Sequence, residues 1–196
     1  MSGEIYKDLP VYAFESVATW RAWLLENHTT QPGAWIKLAK KGTGVTTTTY
    51  EEARDTAIEF GWIDGLINAY DEIYYLTRFT PRKAKSNWSK VNCAVAERLI
   101  ASGLMQPAGL AQVEAAKKDG RWEMAYDPPS KMAVPDDFQY ALEHSPAAAE
   151  FFATLKSASR YAFLYRIQTA KTSETRAKWI EKSIEMLEAG EAYHLI

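Results

Sequence analysis

The sequence predicts an α+β fold, in which a small antiparallel sheet of three to four strands is followed by a predominantly helical C-terminal half. Residues 34–41 and 73–79 alternate between two sets of side chains, with the period of two that is typical of half-buried strands. Beyond Pro107, apolar residues recur every three to four positions, which is the spacing of one face of a helix. A small antiparallel sheet that carries helices and is followed by further helices is typical of the α+β class.

Strands and helices alternate in the first half of the chain. Ser16 suits the N-cap of one predicted helix, and Thr49 with Glu52 forms a capping box at the start of the next, which Gly61 ends. We predict strands over 10–14, 34–41, 63–69 and 73–79, and helices over 17–27, 50–60 and 90–102.

The second half is predicted to be helical. Its periodic segments are 107–118, 136–144, 146–156, 157–170 and 172–189. Residues 126–134, which include Pro128 and Pro129, lack such a pattern and form an irregular connector. We therefore expect an α+β domain over residues 1–125 with a β-hairpin and a basic, aromatic loop. A C-terminal helical module over 135–196 is expected to pack on it.

The strongest functional signal is a basic, aromatic stretch at 78–90. Residues 73–96 contain no acid and five cations, although the net charge of the chain is −2. Arginine binds phosphate or carboxylate through two parallel hydrogen bonds, and hydroxyls near a helix N-terminus add further donors. We expect the 80–90 loop to meet the preceding hairpin in one concave anion site. The predicted ligand-binding residues are Trp62, Asp64, Arg78, Arg82, Lys83, Lys85, Ser86 and Trp88.

A structural explanation of the same residues remains open. Arg78 and Arg82 could pair with acids elsewhere in the chain, such as Asp64 or Glu72, while Trp88 fastens the following helix. Asp64 could also serve as a general base, but an aspartate before a glycine more often caps a turn or pairs with an arginine.

Other patterns narrow the class of protein. Cys93 is the single cysteine, so an internal disulfide and a thiolate metal cluster are excluded, and a buried structural role is favoured over a reactive one. The histidines lack the spacing of zinc ligands; they are His28, His144 and His194. No glycine-rich phosphate loop is present in the sequence. We expect no cofactor and no metal.

No apolar run is long enough to span a membrane, and no secretory signal is visible, which predicts a cytoplasmic protein.

Three segments together resemble the YdeI/OmpD-associated family, also called bacteriocin-protection proteins. They are GWIDGL at 61–66, TRFTPRKAKSNWSKVN at 77–92 and KTSETRAKWIEKSIEMLEAG at 171–190, and the resemblance extends over nearly the whole chain. One departure is the Lys178–Trp179 pair, where the family pattern has two arginines. The resemblance implies a link to protection against bacteriocins and cationic antimicrobial peptides. It implies no reaction, cofactor or catalytic residue.

Three functions remain open at this point. The first is a non-enzymatic binding protein that recognises an anionic small molecule, a peptide terminus or a lipid-derived group through 78–90. The second is a nucleic-acid-binding protein, because aromatic residues between cations suit base stacking with phosphate contact; the net charge of −2 argues against it. The third is an enzyme that uses Asp64 with neighbouring arginine and serine side chains. We favour the first.

Overall fold

The computed structural model describes residues 4–129 and 131–193, so His194 lies outside the described residues. The chain forms two compact units. The first comprises residues 1–88 and 92–123, and the second comprises 89–91 and 124–196. The connector at 126–134 belongs to the second unit. Packing of the helical module on the first domain stays a prediction.

The first unit contains a five-stranded sheet of order β1-β2-β3-β5-β4. Its strands are β1 (Ile5–Tyr6), β2 (Leu9–Ala13), β3 (Ala34–Ala39), β4 (Trp62–Ala69) and β5 (Tyr74–Pro81). The α+β class is confirmed, but the sheet is mixed rather than antiparallel, since β2 and β3 run parallel. A helix connects these two strands and returns the chain in the same direction. The two-residue β1 is too short for an alternating pattern to predict.

Capping residues set the starts of the first two helices of this unit, as the sequence predicts. Ser16 accepts a hydrogen bond from the backbone of Thr19, and Thr49 forms a reciprocal capping box with Glu52. Gly61 follows the second helix with a φ of 76°, a conformation that glycine adopts without strain. The helices are α1 (Val17–Asn27), α2 (Tyr50–Glu59), α3 (Lys90–Ala101) and α4 (Pro107–Lys118).

Apolar side chains pack on both faces of the sheet. The helix face carries the larger cluster, in which Trp20 and Trp23 of α1 pack on strand residues including Ile36 and Phe79. The opposite face, called the second face below, carries a smaller cluster. It contains Leu9, Val11, Trp35 and Leu76, with Tyr6 and Tyr70 packed against it. The alternation predicted for 73–79 is confirmed, because Tyr75 and Phe79 belong to the first cluster and Leu76 to the second.

A β-bulge in β4 changes which residues share a face. Asp64 is paired with Phe79 and Ile67 with Thr77, so that two residues of β4 oppose Arg78 alone. Ile67 therefore lies on the helix face, as Asp64 does, although the two are three residues apart. Asn68, paired with Leu76, lies on the second face.

The described part of the second unit contains helices of the C-terminal half, as predicted. They are α5 (Asp136–Glu143), α6 (Pro146–Thr154), α7 (Ser157–Gln168) and α8 (Ser173–Glu188). Phe138, Phe152 and Phe163 lie in their shared core, with Leu187 of α8. Throughout the described ranges, no helix combines the length and the apolar character needed to cross a membrane.

Candidate anion-binding site

Arg78 and Trp35 lie side by side on the second face of the sheet. They are direct partners in the β3–β5 register, which brings opposed Cβ atoms to about 5 Å. The indole Nε1 of Trp35 and the Nε of Arg78 are both buried, and neither has a hydrogen-bond acceptor within the described part of the chain. Both nitrogens can only donate. Two buried N–H groups on directly opposed residues therefore lack an acceptor.

Asn68 adds a third donor on the same face. It is paired with Leu76, two residues before Arg78 on β5, and its buried Nδ2 also has no acceptor among the described residues. Each buried donor without a partner costs about 1–3 kcal/mol, so three from adjacent strands call for a physical reason. Trp35, Asn68 and Arg78 are called the donor cluster below.

Asp8 is the acid that contacts this cluster. Arg78 Nη2 donates to Asp8 Oδ2 at 2.9 Å, and the two side chains are 32% and 61% exposed. The structural alternative for Arg78 is thus an ion pair, but its partner is Asp8 rather than Asp64 or Glu72. Pairs as exposed as this one stabilise a fold by about 0–1 kcal/mol.

Arg82 and Trp88 form the interior of the basic loop. The Arg82 guanidinium carbon lies 3.7 Å from the centroid of the Trp88 ring, and Nη1 donates to the Asn87 carbonyl at 3.2 Å. Arg82 is 6% exposed and Trp88 is 1% exposed. Since the ring is covered by the protein itself, Trp88 has no free face on which a ligand could stack.

The turn from Lys83 to Ser86 is stabilised by hydrogen bonds to Ser86, and its lysine side chains are exposed. Ser86 Oγ accepts from the Lys83 backbone N–H at 3.1 Å, and Arg121 Nη1 donates to the Ser86 carbonyl at 2.9 Å. Lys83 and Lys85 are exposed, and neither ammonium group forms an ion pair with a described residue. Arg121 had no sequence signal, because it lies 35 residues further along the chain.

Trp62 and Asp64 lie on the other side of the sheet from Arg78. Trp62 is 1% exposed, and its Nε1 donates to the His28 carbonyl at 3.0 Å within the helix-face core. Asp64 accepts from the Tyr50 hydroxyl at 2.7 Å. The expectation that these residues and Arg78 meet in one concave site is wrong. Asp64 opposes Phe79, so strand alternation sends it to the face opposite Arg78.

A cleft of about 850 Å³ does occur on the helix face, beside the threonine-rich loop at 42–49. Burial and the neighbouring Asp64 raise the pKa of the Tyr50 phenol far above its usual value, and burial with Glu51 raises the pKa of Tyr75. Both phenols therefore stay protonated at neutral pH. The cleft is lined by both hydroxyl-bearing and apolar side chains, which include Leu38, Thr47, Tyr50, Ile67 and Tyr75.

The single cysteine, Cys93, is buried. Burial is the main cause that raises the pKa of the Cys93 thiol to about 11, so the thiol is unreactive at neutral pH, in line with a structural role. Within residues 4–129 and 131–193, no three His, Cys, Asp or Glu side chains are grouped so that they could hold a metal ion.

A family model for a domain of unknown function, DUF8412, matches residues 12–112, just over half of the chain. The chain belongs to the DUF8412 family. The donor cluster and the basic loop both lie inside the matched range.

A second family model, described as bacteriocin-protection, YdeI or OmpD-associated (OmdA), matches residues 131–190. This confirms the family that the sequence resembles. The matched range is 131–190, however, and not nearly the whole chain as the resemblance suggested. The match covers the third of the three resembling segments, whereas GWIDGL and the basic stretch lie in the DUF8412 range. No curated protein and no solved structure matches the chain.

Proposed function

We propose that this chain is a non-enzymatic binding protein that recognises an anionic ligand through the 78–90 segment, with Arg78 as the central contact. The observation that supports it is the donor cluster, three buried N–H donors on one face without an acceptor in the described chain. A carboxylate or phosphate oxygen accepts several such hydrogen bonds at once. Arg78 comes from the predicted segment, and Trp35 and Asn68 extend the site beyond it.

The surroundings favour binding over catalysis and over nucleic acid. Asp64, the acid weighed as a general base, lies on the opposite face of the sheet from Arg78. Trp62 and Trp88 are both buried, so neither ring is available for stacking on a base. Lys83 and Lys85 add exposed positive charge that raises the local concentration of anions. We further propose that this binding serves bacteriocin protection in the cytoplasm.

Titration with inorganic phosphate tests the site directly. In ¹H–¹⁵N spectra, the Trp35 indole signal should move downfield as its N–H donates to the anion, and Trp35→Phe assigns that signal. Arg78→Ala should weaken phosphate binding about 10- to 150-fold, the equivalent of one hydrogen bond to a charged group. Lys171→Ala, which removes an exposed cation from the second unit, is the matched control and should leave the affinity unchanged.

Asp8→Asn provides the opposite expectation. Removing the carboxylate that competes for Arg78 should tighten phosphate binding, whereas a purely structural Arg78–Asp8 pair predicts no gain. The proposal fails if the wild-type Trp35 signal does not respond to phosphate, acetate or a short peptide carboxylate. It also fails if Arg78→Ala and Lys171→Ala change the affinity equally.

A further inference from the structure

A groove of about 870 Å³ runs between α5 and α8 in the second unit. Its apolar lining consists of Ala141 from α5, and Ala177, Ile180 and Ile184 from α8. The α8 positions follow the spacing of one helix face, and from Ala177 to Ile184 they extend about 10 Å, or two turns. Alanines on both walls leave room for a third backbone to approach closely.

The charges along this groove are unbalanced. Its two cations are already neutralised, since Arg176 donates to Asp137 at 2.6 and 2.8 Å and Lys178 to Glu174 at 2.7 Å. Glu181 and Glu185 also line the groove, are exposed, and form no ion pair with any residue that the structure describes. The edge along α8 therefore carries uncompensated negative charge.

We propose that this groove binds an amphipathic helix of a partner protein, with lysine or arginine residues beside its apolar stripe. The apolar residues of such a helix would contact Ile180 and Ile184 between the two alanines. Its cations would pair with Glu181 and Glu185. Apolar anchors at helical spacing in a groove are a recurring mode of peptide recognition, and complementary charge sets the choice of partner. The site lies in the OmdA range and is independent of the anion site proposed in the DUF8412 range.

A charge-swap experiment tests the partner chemistry. The probe is a fluorescent helical peptide of about 15 residues, long enough for four turns, with leucines at i, i+3, i+4 and i+7 flanked by lysines. The full-length protein should bind it, and Glu181→Lys/Glu185→Lys should weaken binding at least about tenfold, the effect of roughly 1.4 kcal/mol. The same variant should gain affinity for a peptide in which glutamates replace the lysines.

The matched control is Glu26→Lys/Glu114→Lys, which makes the same change in net charge on exposed positions of the first unit. It should bind the basic peptide like the wild type. Ala177→Leu, which narrows the groove without a change in charge, should also weaken binding. An equal loss in the control, or no effect of either groove variant, would overturn the proposal. So would self-association of the wild type that Glu181→Lys/Glu185→Lys abolishes, because the occupant would then be a second copy.

Discussion

Arg82→Ala should lower the free energy of unfolding by about 3 kcal/mol. A desolvated cation–π contact contributes about 2 kcal/mol, and a hydrogen bond from a charged donor contributes about 1.5–3 kcal/mol. Arg82 makes both interactions, with the Trp88 ring and the Asn87 carbonyl, and its side chain is 6% exposed. Partial relaxation of the loop in the variant reduces the summed loss. Urea unfolding followed by tryptophan fluorescence measures the change.

Lys83→Ala is the control for this measurement. Lys83 is the next residue and is exposed, so its loss should change stability by less than about 0.5 kcal/mol. The loss of stability in Arg82→Lys should lie between those of Arg82→Ala and Lys83→Ala, because an ammonium group keeps the charge but lacks the planar stacking of a guanidinium group. If Arg82→Ala proved as mild as Lys83→Ala, Arg82 would be a ligand contact rather than part of the loop interior.

The second large effect is expected at the ion pair of Arg21 and Glu59. Arg21 Nη2 and Nε donate to Glu59 Oε1 at 2.6 and 3.0 Å, and the Glu59 side chain is 4% exposed. Arg21→Ala leaves this carboxylate buried without its cation, which costs about 3–5 kcal/mol. We expect the lower end of that range, since Arg21 is 42% exposed and Gln106 Nε2 still lies 3.3 Å from Glu59.

A double-mutant cycle isolates the pair. Glu59→Gln removes the buried charge, so Arg21→Ala should cost much less in that background than in the wild type. Chemical denaturation of the four proteins gives the coupling energy. Additive effects of the two substitutions would show that Arg21 contributes through packing of its side-chain stem alone.

Local chemistry explains what could be predicted from the sequence. The helix starts at Ser16 and Thr49 depend on contacts three residues apart, which are visible in any sequence. The role of Trp62 could not be predicted in this way. An aromatic residue next to cations suits a core as well as a ligand site, and the helices that cover Trp62 come from distant parts of the chain.

The donor cluster depends on strand register, which a single sequence does not fix. Trp35 and Arg78 are 43 residues apart and become neighbours only because β5 pairs with β3. Asn68 joins them because of the bulge in β4; a regular strand would have placed it on the other face. Arg78 could therefore be found as a candidate, whereas two of the three donors could not.

The same bulge has a consequence for the behaviour of the protein at high concentration. β4 is an edge strand, and Leu66 and Ile67 on it are 42% and 57% exposed. A long, regular apolar edge invites strand addition by another molecule and thus aggregation. In β4 the regular pairing geometry is interrupted between Asp64 and Ile67, so only short stretches remain on either side. We therefore expect an incoming strand to pair over short stretches of this edge at most, which disfavours cross-β assembly at its apolar centre.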